Sequence, residues 1–114
     1  MIRRHEIYLA NFPFGDTAGM KLRPVLTLAG PVGPIPEVLV AYISSVVPQV
    51  LLPTDVLLDP ATAEHRSTHL KTKSVVRLHK LATIHGRAIV RRLGQLPTAT
   101  TPDVEQKLST LLGL

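Results

Sequence analysis

Val38-Leu39-Val40-Ala41-Tyr42-Ile43, running out into Ser44-Ser45, is the stretch on which the fold turns. It is a continuous apolar run rich in β-branched side chains, the pattern of a well-buried strand. Just before it, residues 30–36 hold two glycines and three prolines, which is turn chemistry rather than an element. Further upstream, Arg23-Pro24-Val25-Leu26-Thr27-Leu28-Ala29 forms an extended run. Pro24 biases Arg23 away from helix, so that arginine is expected at a loop-to-strand junction. Ile7-Tyr8-Leu9-Ala10-Asn11-Phe12 reads as a first strand ended by Pro13, and residues 14–21 read as a loop with two glycines.

Downstream of the central run, Thr54 to Asp59 reads as a short strand and Ala61 to Thr72 as a loop or a turn of helix. Ser74 to Leu81 alternates, with Val76 and Leu78 on one face and Arg77 and His79 on the other. Ala82-Thr83-Ile84 then leads into His85-Gly86, and Ile89 to Leu96 suits a further strand or a short connection. The period changes at the end. Thr101 can cap a helix, Pro102 suits its first position, and Val104, Leu108, Leu111 and Leu112 make one apolar stripe before Gly113. Short strands, Pro/Gly breaks and one terminal helix predict a mainly β fold, a small barrel closed by that helix. With neither repeat nor linker, residues 1–114 are expected to form a single domain.

Composition narrows the chemistry. Hydrophobic residues make up 45% of the chain but aromatics only 4%, so Val, Leu and Ile must fill the core. The chain has no cysteine, which excludes disulfides, thiolate zinc sites and thiol nucleophiles. No apolar run reaches signal-peptide or membrane-span length, so a soluble cytoplasmic protein without membrane contact is expected. The net charge is +5, and between residues 61 and 95 Arg66, Lys71, Lys73, Arg77, Lys80, Arg87, Arg91 and Arg92 are opposed only by Glu64. Such a field suits a polyanion, although a basic face that merely aids solubility reads the same way.

His65 and His69 have the i, i+4 spacing of a helical metal pair, but no metalloprotease glutamate follows His65 and the neighbours are cationic. No metal and no cofactor is therefore expected. There is no nucleophile-elbow serine and no phosphate-binding glycine loop. What remains is Arg23 at a strand entrance, Ser44 and Ser45 at a strand exit, and Arg77 with His79 on a third strand. Cleavage of RNA by its own 2′-hydroxyl needs little more. A base takes the 2′ proton, an acid protonates the leaving 5′ oxygen, and donors stabilise the phosphorane. Each residue also has a plain reading: Arg23 pairing with Asp16 or Glu37, the serines as turn residues, Arg77 and His79 as a solvated strand face. Taken alone, none identifies a nuclease.

Read in order, the blocks Glu6–Phe14, Lys21–Leu26, Val40–Ser45, Leu52–Val56 and Ser74–Ile84 resemble the MazF/PemK toxins over most of the chain. The resemblance implies an SH3-like barrel of the CcdB/PemK toxin fold with a C-terminal helix. It implies a homodimeric, metal-independent endoribonuclease that cuts single-stranded RNA and leaves 2′,3′-cyclic phosphate and 5′-hydroxyl ends. It also implies an antitoxin partner whose acidic, partly disordered tail occupies the RNA groove. Carried over by position, the catalytic set is Arg23, Ser44, Arg77 and His79. Ser44 stands where the family usually has threonine, and His79 where PemK-like relatives carry aspartate. Phe14, Lys21, Ser45, Lys73 and Lys80 are the expected RNA contacts, and the glycines of the 15–21 loop would let it open and close over the RNA. His5-Glu6 stands where the family commonly has glycine followed by an acid. The rival functions are a non-catalytic inhibitor on the same barrel, as with the CcdB-type gyrase poisons, and an inactive relative that only binds RNA or antitoxin.

Overall fold

The computed structural model describes residues 1–12 and 21–114. Among these, six strands form one antiparallel sheet: β1 (Glu6–Phe12), β2 (Lys21–Val32), β3 (Glu37–Ser44), β4 (Asp55–Leu58), β5 (Ser74–His85) and β6 (Ile89–Gln95). Their spatial order is β4-β5-β3-β2-β1-β6. A helix, α1 (Thr101–Leu112), follows. The run that decides the fold is the middle of β3, flanked on both sides by long partners, with Leu26 opposite Ala41 on β2 and Val76 opposite Ile43 on β5.

The strands are apolar on both faces because both faces are covered. Ile7, Leu26, Ala41, Ile43 and Val76 pack on one side with Val104 of α1. Tyr8, Ala10, Phe12, Val25 and Val40 pack on the other. Alternation along each strand divides the apolar residues between the two clusters.

Two strands outrun their local signals. β2 continues through Gly30 and Pro31 to Val32, which pairs with Glu37. The turn between them uses Gly33 at φ 85°, a conformation glycine adopts without steric penalty. β5 continues to His85 because Glu37–Ala41 pairs with it, and a register shift separates Ala41↔Leu81 from Tyr42↔Arg77. The extra residues bend β5 beside the end of β3. No pairing joins β4 to β6 among the described residues. The segment after β4 instead makes a 3-10 turn, Ala63–Thr68, that packs on β6. At Gly94 of β6 any Cβ would collide with the carbonyl oxygens of Ser67 and Thr68, so this approach requires glycine.

At the N-terminus His5 holds φ 68°, the left-handed region that the glycine of the resembling family would occupy without strain. Its Nε2 lies 2.7 Å from Glu105, which also binds Arg4. The helix begins at Thr101, the expected cap. Thr100 occupies the capping position without a side-chain bond, and Gly113 ends the helix at φ 71°. Only half of the expected apolar stripe is buried: Val104 is covered and Leu108 partly so, while Leu111 and Leu112 are 39% and 57% exposed. Lys107 donates to the Asp55 carbonyl at 2.9 Å and ties α1 to β4. Among the described residues no helix is long and apolar enough to cross a membrane.

Candidate active site

The ends of β2 and β3 open onto a cavity of about 430 Å³. Arg23 reaches it from β2, where it pairs with Ala10 as the third residue of the strand, so the junction lies two residues before the expected place. Its side chain is half-buried, and among the described residues it forms no ion pair. Asp16, one suggested partner, lies outside the described residues. Ser44 closes β3 and is buried. Its Oγ accepts the Val46 backbone N–H at 3.1 Å, an interaction that turns the chain. The hydroxyl in turn donates to the Val46 carbonyl at 3.4 Å, a long contact that it can exchange for a ligand oxygen. Ser45 lines the same cavity and is exposed.

Lys71, Arg91 and His69 also line it, from the segment after the 3-10 turn and from β6. No carboxylate is among the lining residues described. Arg23, Lys71 and Arg91 therefore make the cavity cationic, a field suited to a phosphodiester. Strand alternation separates the neighbours Arg91 and Arg92. Arg92 turns away to Glu6, with Nε 2.6 Å from Oε2. Burial pushes the Glu6 carboxyl up, but the Tyr8 hydroxyl and the Arg92 guanidinium outweigh it and hold the group below its ordinary value. Tyr8 is pushed up in turn, by burial and then by its bond to Glu6.

Arg77 and His79 are not among the residues that line the cavity. Arg77 faces Asp55 on β4, with Nε 3.0 Å from Oδ1 and a second nitrogen 3.4 Å from Oδ2. The Asp55 side chain is 0% exposed and also accepts the Leu52 N–H at 2.8 Å, so the guanidinium neutralises a fully buried charge. His79 is exposed, its Nδ1 2.7 Å from the Thr54 hydroxyl. Lys80 sits over the Tyr42 ring at 5.6 Å, and that ring stacks on Phe12 and lines the cavity, so Lys80 reaches the rim. Lys21 is exposed at the start of β2 opposite Phe12. Lys73 borders a separate hollow beside Asp59. Phe14, like Gly15 and Gly19, lies outside the described residues. The structure thus gathers Arg23, Ser44 and Ser45, with Lys80 nearby, and leaves Arg77 and His79 on β5 apart from them.

The i, i+4 histidines do not share a helical face. His65 lies within the 3-10 turn, and its Nδ1 accepts the Asp59 N–H at 2.8 Å. His69 caps that turn at φ 52°, and its Nδ1 lies 2.8 Å from the Leu93 carbonyl. Among the described residues no group of three or more histidines and carboxylates could hold a metal ion. His69, Lys71 and Arg91 went unassigned in the sequence. The only signals for them in the sequence are the basic run between residues 61 and 95 and the His65–His69 spacing, which points to a metal pair instead. A larger hollow of about 590 Å³ beside Pro34, Ile35 and Pro36 is apolar and has few converging polar groups. The chemistry therefore favours the smaller, cationic cavity.

Comparison with known proteins covers nearly the whole chain. Residues 3–112 match the family model of the PemK-like, MazF-like toxin of type II toxin–antitoxin systems. No curated protein sequence matches the chain. Among solved structures, the Mycobacterium tuberculosis toxin MazF-mt6 is 24% identical with a TM-score of 0.71, over 96% of this chain and 97% of that one. The MazE-MazF structure from Deinococcus radiodurans is 21% identical with a TM-score of 0.70, over 99% and 97%. A mycobacterial endoribonuclease in complex with its cognate antitoxin is 19% identical with a TM-score of 0.69, over 100% and 97%.

Proposed function

We propose, on the premise that this chain belongs to the PemK-like, MazF-like toxins of type II toxin–antitoxin systems, that it cleaves single-stranded RNA through the 2′-hydroxyl without a metal. Toxins of this family are generally endoribonucleases. The observation that carries the reading to this chain is the cavity itself: Arg23 and Ser44 share it with Lys71 and Arg91, and no carboxylate is among its described lining residues. A phosphodiester entering it meets cations and hydroxyl donors, with no repelling charge among the described lining residues.

In the proposed reaction the 2′ oxygen attacks phosphorus, the bond to the 5′ oxygen breaks, and a 2′,3′-cyclic phosphate and a 5′-hydroxyl result. The nucleophile is already attached to the substrate, so proximity supplies much of what a metal-bound water supplies elsewhere. The Arg23 guanidinium is permanently charged and offers forked donors to the equatorial oxygens of the phosphorane. The Ser44 hydroxyl donates to the same oxygens. Ser45 and Lys80 would hold flanking nucleotides at the rim, while Lys21 and Lys73 would add longer-range attraction. Phe14 remains a candidate for base stacking. Arg77 is assigned to holding Asp55 rather than to the reaction. The residues are proposed to act as one domain in a homodimer. The partner is an antitoxin whose acidic tail competes with RNA for the cationic cavity.

The test is incubation of purified protein with a long unstructured RNA in EDTA, mapping the new ends. Discrete cuts bearing cyclic phosphates, lost in Arg23→Ala, are expected. Intact RNA from folded protein across several sequences would overturn the reading in favour of an RNA- or antitoxin-binding relative.

A further inference from the structure

Cleavage through the 2′-hydroxyl requires a group that can take a proton near neutral pH. Guanidinium and ammonium groups arrive protonated, and a serine or tyrosine hydroxyl is too weak a base. Of the side chains described around the cavity, only His69 carries an imidazole, the residue type suited to that exchange. Its ring is also oriented. A carbonyl oxygen can only accept, so the 2.8 Å contact with Leu93 puts a proton on Nδ1. In the neutral ring the lone pair is then on Nε2.

The ring itself is exposed, and three features fix the backbone that carries it. His69 sits at φ 52°, ψ 25°, a left-handed conformation unusual for a residue with a Cβ. The turn before it is pressed onto β6 at Gly94, where a side chain would collide with the Ser67 and Thr68 carbonyls. Buried Thr68 secures the turn by donating to the His65 carbonyl at 2.8 Å. A strained cap pinned to the strand that carries both Leu93 and Arg91 aims a functional side chain at the cavity.

We propose that His69 is the general base of the reaction, a reading that rests on the ribonuclease function above. The 2′-hydroxyl gives its proton to Nε2 as the oxygen–phosphorus bond forms. The leaving 5′ oxygen takes a proton from water, and the imidazolium returns its own to solvent, so the cycle closes. The charged and titratable groups lining the cavity around His69 are Arg23 of β2, Tyr42 of β3, Lys71 of the adjoining segment and Arg91 of β6.

The test is single-turnover cleavage of an unstructured RNA in EDTA, from pH 5 to 9, by the full chain and its variants. Wild-type rate is expected to rise through an acidic limb to a plateau. His69→Asn, chosen because asparagine tolerates the left-handed region, should lower the plateau by about 10²- to 10⁴-fold and flatten the limb. It should leave the thermal unfolding midpoint and RNA affinity close to wild type. Imidazole added to His69→Ala should restore part of the rate, which a merely structural role would not permit. An active wild type whose limb and plateau survive in His69→Asn would overturn this assignment alone. So would a limb that disappears in His79→Asn instead. An inactive wild type would overturn the ribonuclease reading and this one with it.

Discussion

Arg23 and Arg77 both leave strands that flank or adjoin β3, yet they have opposite fates. Arg77 is neutralised by Asp55, a fully buried carboxylate. Arg23 is half-buried beside a cavity and has no ion pair among the described residues. The same pairing logic repeats on β6, where Arg92 is matched by Glu6 and its neighbour Arg91 turns into the cavity. What an arginine does on this sheet therefore follows from the carboxylate opposite it. Among the described residues, the paired guanidiniums hold strands together, and the strand arginines without an ion pair, Arg23 and Arg91, face the cavity at the end of β3.

Exchanging each arginine for alanine tests the contrast. Arg23→Ala removes a transition-state donor and should cost about 10²- to 10³-fold in cleavage rate. Its stability should stay within about 0.5 kcal/mol of wild type, since no ion pair among the described residues is broken. Rate and denaturant midpoint are the two readouts, and retained cleavage would remove Arg23 from the mechanism. Arg77→Ala should do the reverse. It strands the Asp55 charge, and breaking such a pair typically costs about 3–5 kcal/mol. Partial exposure of Arg77 sets the expected loss toward the low end of that range. Cleavage per folded molecule should fall far less than in Arg23→Ala. A stable Arg77→Ala that is inactive would return Arg77 to the catalytic set and erase the contrast.

The sequence carried one side of this contrast better than the other. The continuous run in β3 and the Pro/Gly breaks around it were readable because they are local. Arg23, Ser44 and Ser45 followed from lying at the ends of readable strands. The Arg77 ion pair did not, because Asp55 is brought beside it only by β4–β5 register. Nor did the setting of His69: an i, i+4 pair suggested a helical face, whereas the segment is a 3-10 turn packed on Gly94 of β6, two strands further along the chain. The extension of β2 through Gly30 and Pro31 shows the same limit, since pairing with β3 overrode local breakers.

Ser44 offers a finer test within the cavity. Ser44→Ala deletes one donor to a charged phosphorane, a loss of about tenfold or somewhat more in rate at typical hydrogen-bond strengths. Ser44→Thr keeps the hydroxyl and stiffens its rotamer, so activity should be kept or raised. Alanine also removes the acceptor of the Val46 N–H, so the unfolding midpoint is followed beside the rate to register any loss of the turn. If alanine is harmless in single-turnover cleavage, the hydroxyl has no role and Ser45 becomes the donor to examine.

The smallest effect lies at the paired arginine of β6. Glu6 is held below its ordinary carboxyl value of 4.5 despite burial, by Tyr8 and Arg92. A folded-state pKa below the unfolded one adds stability that is fully present above the unfolded value. That contribution disappears as pH falls through the lower folded value. Wild-type unfolding midpoints should therefore drop more steeply below about pH 4.5 than those of Glu6→Gln, which has no such charge to lose. Above that pH, Glu6→Gln should be slightly less stable at every point, while its cleavage near neutrality stays close to wild type. Parallel acid profiles would mean that Arg92 gains nothing from Glu6. Arg92 would then stand like Arg91, without a stabilising carboxylate among the described residues, and the division of β6 into a structural and a functional arginine would fail.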